Sequence, residues 1–302
     1  MAESITRAVS RWPLTAWLAL LAAPFCLAAR PVLSVTPFES KHFLLFPVAI
    51  PTETALQLGQ AADEAWERIA ADLGVRPPHK TALFLYGNRK AFQQALEGEN
   101  PKLLVGAAHA GRAIHLDATG FFSSAKLVLA HEITHVLLAQ ALGEEAHQLP
   151  RWVNEGIAQY ESAERGLLDE LRVAEAISSG RALALERLDQ ALSGSQQEIS
   201  LAYLQSASLI RFLVDSYGRD VLARLLGQLK HTDSFAQAIK QTTGDRLDEI
   251  EARWRAATVR RWRWVGLLLS PTFPLLLMAL LLLIAMLRFW RLRRKRWEQL
   301  GE

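Results

Sequence analysis

The sequence predicts an α+β domain, strand-rich in its N-terminal half and helical in its C-terminal half, followed by one transmembrane helix. Three observations carry this. Short apolar runs punctuated by Gly and Pro fill the stretch up to residue 116. From Ser123 onward, apolar residues recur at three- and four-residue spacing. Residues 265–287 then carry no charge. As a helix that stretch is about 34 Å long, enough for a bilayer core.

Composition bounds the rest. The chain has 302 residues, 50% hydrophobic and 22% charged. That suits one large domain or two modest ones and excludes collagen-like and disordered chains. The formal charge is +3, but it is unevenly placed. Residues 1–29 and 259–302 together hold eleven basic and three acidic residues; without them 23 basic and 28 acidic residues remain, a net −5. Basicity confined to the flanks of apolar runs fits a membrane and argues against nucleic acid as a partner.

At the N-terminus, Arg7 and Arg11 precede an apolar stretch, 14–29, that ends in small residues. This is the shape of a signal peptide or an uncleaved N-terminal anchor, and both readings export the domain that follows. At the other end, Arg288, Arg291, Arg293, Arg294, Lys295 and Arg296 follow the apolar span. This denser cluster places the 288–302 tail in the cytoplasm, so residues 32–257 form an extracytoplasmic domain, periplasmic or extracellular. Trp262, Trp264, Trp290 and Trp297 sit where aromatic belts lie. Cys26 is the only cysteine, so no internal disulfide supports the domain.

The elements follow in order. After Pro31 and Pro37, residues 41–48 read as a strand. Residues 53–73 read as a helix, with Leu56, Ala61, Ala65, Trp66, Ile69 and Leu73 at helical spacing and Gly74 as its stop. Residues 81–86 form a strand and 88–96 a short helix. Residues 103–108 and 112–116 form a hairpin through Gly111. A long apolar helix covers 124–142, with serines as its cap region and Gly143 at its end. Helices at 152–162, 167–178, 202–217, 220–229, 234–241 and 246–257 complete the domain.

The chemistry centres on His131-Glu132-Ile133-Thr134-His135. Residues four apart share a helix face, so both imidazoles can reach one metal ion. Glu132 is placed to act as general base toward a water held there. Two His and a Glu in so apolar a helix need partners, and Zn2+ supplies them. A hydrolytic zinc site needs a third protein ligand and an open position. Glu155, 19 intervening residues beyond His135, provides it from the helix around Trp152-Val153-Asn154-Glu155-Gly156.

These two segments resemble the gluzincin metallopeptidases, the clan of thermolysin and the aminopeptidase N family. The closest overall likeness is to the peptidase MA-like proteins, across roughly residues 80–255. The resemblance implies a gluzincin-type domain with a small N-terminal sheet, a zinc cofactor and a peptide or protein substrate. It implies that Tyr203 donates its hydroxyl to the oxyanion from the start of a helix. It also implies that Gly106, Ala107, Ala108 and His109 form an edge strand for substrate binding, His109 being either a substrate contact or an exposed loop residue. The aminopeptidases' amine-binding Glu and Asn are absent from that strand, which favours an endopeptidase or a different substrate. Gln159 stands where thermolysin-like enzymes carry an orienting Asp, which leaves Glu161 or Asp117 for that role. The remaining histidines, at 42, 79, 115, 147 and 231, show no ligand spacing. The sequence therefore reads as a membrane-anchored zinc metallopeptidase. The competing readings are a non-catalytic envelope scaffold and a hydrolase of a non-peptide amide.

Overall fold

A twisted sheet and a central buried helix organise the computed structural model, which describes residues 37–76, 79–96, 106–109, 112–162, 166–269 and 272–299. The export segment read at 1–29 and the beginning of the 32–257 domain lie outside the described residues. The sheet comprises β1 (Phe38–Glu39), β2 (Phe43–Val48), β3 (Thr81–Tyr86), β4 (Gly106–His109) and β5 (Ala113–Asp117) in the order β1-β2-β3-β5-β4. β2, β3 and β5 are mutually parallel; β1 and β4 run antiparallel at the two edges. The expected hairpin is present as β4 and β5, with Gly106 opposite Leu116.

Side chains alternate across the strands, so one face collects Phe43, Leu45, Leu83, Leu85, Ile114 and Leu116, all buried. Against that face pack α1 (Thr52–Leu73) and α3 (Phe122–Leu142). α1 closes on Gly74, whose φ of 64° is the left-handed conformation that glycine adopts without steric cost. α2 (Arg89–Ala95) is capped by Asn88, which accepts from the amides of Lys90 and Ala91. α3 is buried over most of its circumference, as its near-continuous apolar sequence requires.

The helical half then adds α4 (Arg151–Ser162), α5 (Leu167–Ser178), α6 (Leu185–Ala191), α7 (Gln196–Tyr217), α8 (Val221–Leu229), α9 (Phe235–Thr243), α10 (Leu247–Leu269) and α11 (Phe273–Gln299). A 3-10 turn, Gly143–Gln148, joins α3 to α4. α7 is the helix most intimately packed on α4.

Four expectations are corrected. No serine caps α3: its N-cap is Phe121, and Ser123 and Ser124 lie within its first turn. α6 was not expected from the sequence. α7 starts at Gln196, not near residue 202, because Ser195 and Glu198 form a reciprocal capping box. Finally, the apolar span read as 265–287 is divided. α10 runs on to Leu269 and α11 begins at Phe273, with Pro274 in its first turn, where its missing N–H is no loss. The described helix long and apolar enough to cross a bilayer is Phe273–Arg291, and none of its apolar window is buried.

Candidate metal centre

α3 and α4 meet at the histidine pair. His131 and His135 are one helical turn apart, with ring centroids 4.7 Å apart at 81°. Glu155 reaches them from α4. Its Oε2 lies 3.5 Å from His131 Nε2 and 3.6 Å from His135 Nε2. That oxygen is buried and has no hydrogen-bond partner. A buried acceptor left unsatisfied is costly, which makes it a sign of an absent ligand.

The spacing tests that idea. Two ligands about 2.1 Å from a tetrahedral zinc are about 3.4 Å apart. The two His–Glu separations match, and the donor set of two imidazoles and one carboxylate is one that zinc takes with a position left open. Among the described residues, one group of His, Cys, Asp or Glu could hold a metal ion, and it is this one.

The protonation states agree. Burial lowers the pKa of His135, and the neighbouring His131 adds to the effect, so the imidazole favours its neutral, ligating form. Burial pushes Glu155 up, but the close approach of His131 and the charges of both histidines outweigh it, and the carboxyl sits below its ordinary value.

Local packing sets these side chains. Asn154 Oδ1 is 2.7 Å from His135 Nδ1 and fixes the ring so that Nε2 faces Glu155. Sequence reasoning missed Asn154 in this role, although it immediately precedes Glu155. The two residues left open for it are engaged elsewhere. Glu161 pairs with Arg68 at 2.5 Å, and Asp117 pairs with Arg89 at 2.5 Å and accepts from Thr119. The start of α4 is held from a distance: Asp189 of α6 accepts from the amides of Trp152 (2.7 Å) and Arg151 (3.3 Å). These are orphan donors of a helix first turn.

Gly156 makes the approach of α7 possible. A Cβ there would meet Ser206 and Ile210 at 3.0 Å. With α7 this close, Tyr203 reaches Glu155. Burial, then the charge of Glu155 and its hydrogen bond, raise the Tyr203 pKa to about 12, so the hydroxyl keeps its proton at neutral pH. Tyr203 therefore stands two turns inside α7, not at a helix start.

Glu132 is buried between α3 and β4. A Cβ on Gly106 would lie 2.8 Å from Glu132 Oε1 and Cγ and 2.6 Å from Val128 Cγ1. Only a glycine lets β4 lie so close to that carboxylate. Among the described residues β4 pairs on one side alone, with β5, which makes residues Gly106, Ala107, Ala108 and His109 an edge strand beside Glu132.

The family model described as Peptidase MA superfamily matches residues 61–260, a stretch that contains every residue of this site. A Bacillus subtilis (strain 168) protein, "Uncharacterized protein YhcO", is 24% identical over 172 residues, 55% of this chain and 48% of that protein. The chain thus spans about half the length of that relative.

Proposed function

The chain belongs to the peptidase MA superfamily, and on that premise we propose that it is a zinc metallopeptidase of the gluzincin type. In this reading it is anchored by α11 and works outside the cytoplasm. The observation that supports it best is the unpartnered Glu155 oxygen facing both histidines at tetrahedral-ligand spacing.

His131, His135 and Glu155 hold Zn2+ in this proposal. Bound there, Zn2+ supplies Lewis acidity, which lowers the pKa of water and polarises a carbonyl. Glu132 takes the proton from the attacking water and passes it to the leaving amine. Tyr203, still protonated at neutral pH, donates to the oxyanion that develops on the carbonyl. The edge of β4 that has no strand partner among the described residues pairs with an extended peptide, which places the scissile bond beside Glu132. The basic residues after the span keep the tail in the cytoplasm.

The test is zinc content and peptide hydrolysis by the full chain, with Glu155→Ala and Glu132→Gln beside it. About one zinc per chain, lost in Glu155→Ala, and hydrolysis lost in Glu132→Gln with zinc retained are the expected results. A folded chain that binds zinc yet cleaves no peptide would favour the non-catalytic scaffold. A folded chain without zinc would remove the hydrolytic mechanism.

A further inference from the structure

We propose that Arg151 sets the substrate preference of the candidate site by binding a substrate carboxylate, carried by an acidic side chain or by a peptide C-terminus. The inference rests on the peptidase reading and deepens it. Arg151 opens α4, one helical turn before Glu155. Residues four apart share a helix face, with Cβ atoms about 5–6 Å apart. Helical side chains lean toward the N-terminus, so Glu155 leans toward the turn that Arg151 occupies. Arg151 therefore lies at the rim of the His131, His135 and Glu155 group.

Arg151 is exposed, yet it is held at both ends. Its amide donates to Asp189 Oδ2 at 3.3 Å, and its Nη1 donates to Ser193 Oγ at 2.7 Å. Ser193 is a neutral acceptor and leaves the charge in place. Asp189 uses its two oxygens on the amides of Arg151 and Trp152. Among the described residues the Arg151 guanidinium forms no ion pair. Arginines that tie the packed helices and sheet together do form them: Arg68 with Glu161, Arg89 with Asp117 and Arg211 with Glu170.

The charge of Arg151 also reaches the site. Burial is the largest single influence on the pKa of both Glu155 and Tyr203, and Arg151 works against it at each, favouring the ionised form. A cation this close to a metal-binding group opposes metal affinity. A role toward an anionic substrate accounts for its position. With Zn2+ bound in the proposed reading, the metal offsets the carboxylates of Glu132 and Glu155, and the Arg151 charge remains to attract an anion. The planar guanidinium fork fits carboxylate and phosphate alike, with two parallel hydrogen bonds. An unmodified peptide carries carboxylates, so the peptidase reading selects between the two.

The experiment uses the full zinc-loaded chain in detergent micelles and synthetic peptides in matched sets. Each set compares Asp or Glu with Asn or Gln at every position, and a free with an amidated C-terminus. Mass spectrometry gives the cleaved bond and kcat/KM. The wild type should prefer a carboxylate at one fixed distance from the cleaved bond by about five- to tenfold, the scale of a charge-assisted pair in a site open to water. Arg151→Gln should lose that preference while its zinc affinity equals or exceeds the wild type. A preference that disappears on amidating the C-terminus assigns the terminal carboxylate; one that disappears on replacing Glu by Gln in the peptide assigns a side chain. Arg151→Lys keeps the charge without the fork and should retain a preference of about twofold; it decides the matter if Arg151→Gln does not fold, and a wild-type preference there would overturn the two-bond contact. Equal cleavage of carboxylate and amide peptides by the wild type, or a preference that survives in Arg151→Gln, would overturn the proposal and leave the peptidase standing. Zinc binding with no peptide cleaved would overturn the peptidase reading, and this proposal with it.

Discussion

Replacing Asn154 with Ala tests whether the proposed metal centre depends on the residue that holds the His135 ring. His135 is largely buried, and its Nδ1 has Asn154 Oδ1 at 2.7 Å. Removing that acceptor leaves the ring free to rotate and weakens Nε2 as a donor. Partners of this kind are worth roughly 10- to 100-fold in metal affinity, or about 1.4–2.7 kcal/mol. Asn154 is only half-buried, so water can replace the lost acceptor, and the lower part of that range, about 10- to 30-fold, is expected. The metal-free protein should lose about 1 kcal/mol, the net value of one hydrogen bond. Competition against a zinc-binding dye at fixed pH gives the affinity, and urea unfolding in chelator gives the stability. Asn154→Asp should match or exceed the wild type, because it offers the same acceptor at the same length with added negative charge. An Asn154→Ala affinity within twofold of wild type, in an assay where Glu155→Ala loses binding, would refute the orienting role.

Three further outcomes follow from the same geometry. Gly106→Ala places a methyl group 2.8 Å from the Glu132 carboxylate, so it should lower kcat/KM for peptide hydrolysis about tenfold or more with zinc retained; unchanged activity would show that Glu132 or β4 yields without consequence. Asp189→Ala removes the acceptor for two first-turn amides of α4 and should cost about 1–2 kcal/mol in denaturant unfolding; a change below 0.3 kcal/mol, about the scatter of such measurements, would show that water satisfies those amides. Glu161 provides a pH test. Burial outweighs the Arg68 pairing and lifts its pKa to about 7. The folded state thus holds the proton more tightly than the unfolded chain does. Its contribution, about 3 kcal/mol, is full below the unfolded carboxyl range and is lost as pH rises toward 7. Glu161→Gln should flatten the stability profile between about pH 4.5 and 7, and an unchanged slope would assign that titration to another group.

How much of this was legible in the sequence depends on how local each feature is. His131, Glu132, His135 and Glu155 could be read because helical periodicity alone puts the first three on one element, and a single short connection brings the fourth. The strand at 81–86 and the helix at 167–178 were equally local and match the structure residue for residue. α6 escaped notice because seven residues with two or three apolar positions give too short a period to detect. The true start of α7 was visible in Ser195-x-x-Glu198, a capping signal two turns before its buried face becomes continuous. Asp189 carried no such signal. It acts on a helix 38 residues away from it in sequence, a contact made only by the packed tertiary structure.

The two glycines show the same divide from the functional side. In sequence, resemblance puts Gly106 in a substrate-binding edge strand and Gly156 in the helix motif beside Glu155, but nothing there says what either glycine packs against. In the structure each marks a close approach to one of the two acidic residues on which the proposed chemistry depends. Gly106 lets β4 lie against Glu132, and Gly156, beside Glu155, lets α7 come near enough to deliver Tyr203. Neither glycine has the positive φ that would mark a turn. Their role is steric: β4 and α7 approach α3 and α4 from separate elements, and an added methyl at either position would push a proposed substrate-binding strand or a proposed oxyanion donor away from the candidate metal site. The candidate site is thus set by three proposed ligands read from one helix and its neighbour, and by two clearances that appear only when four elements pack together.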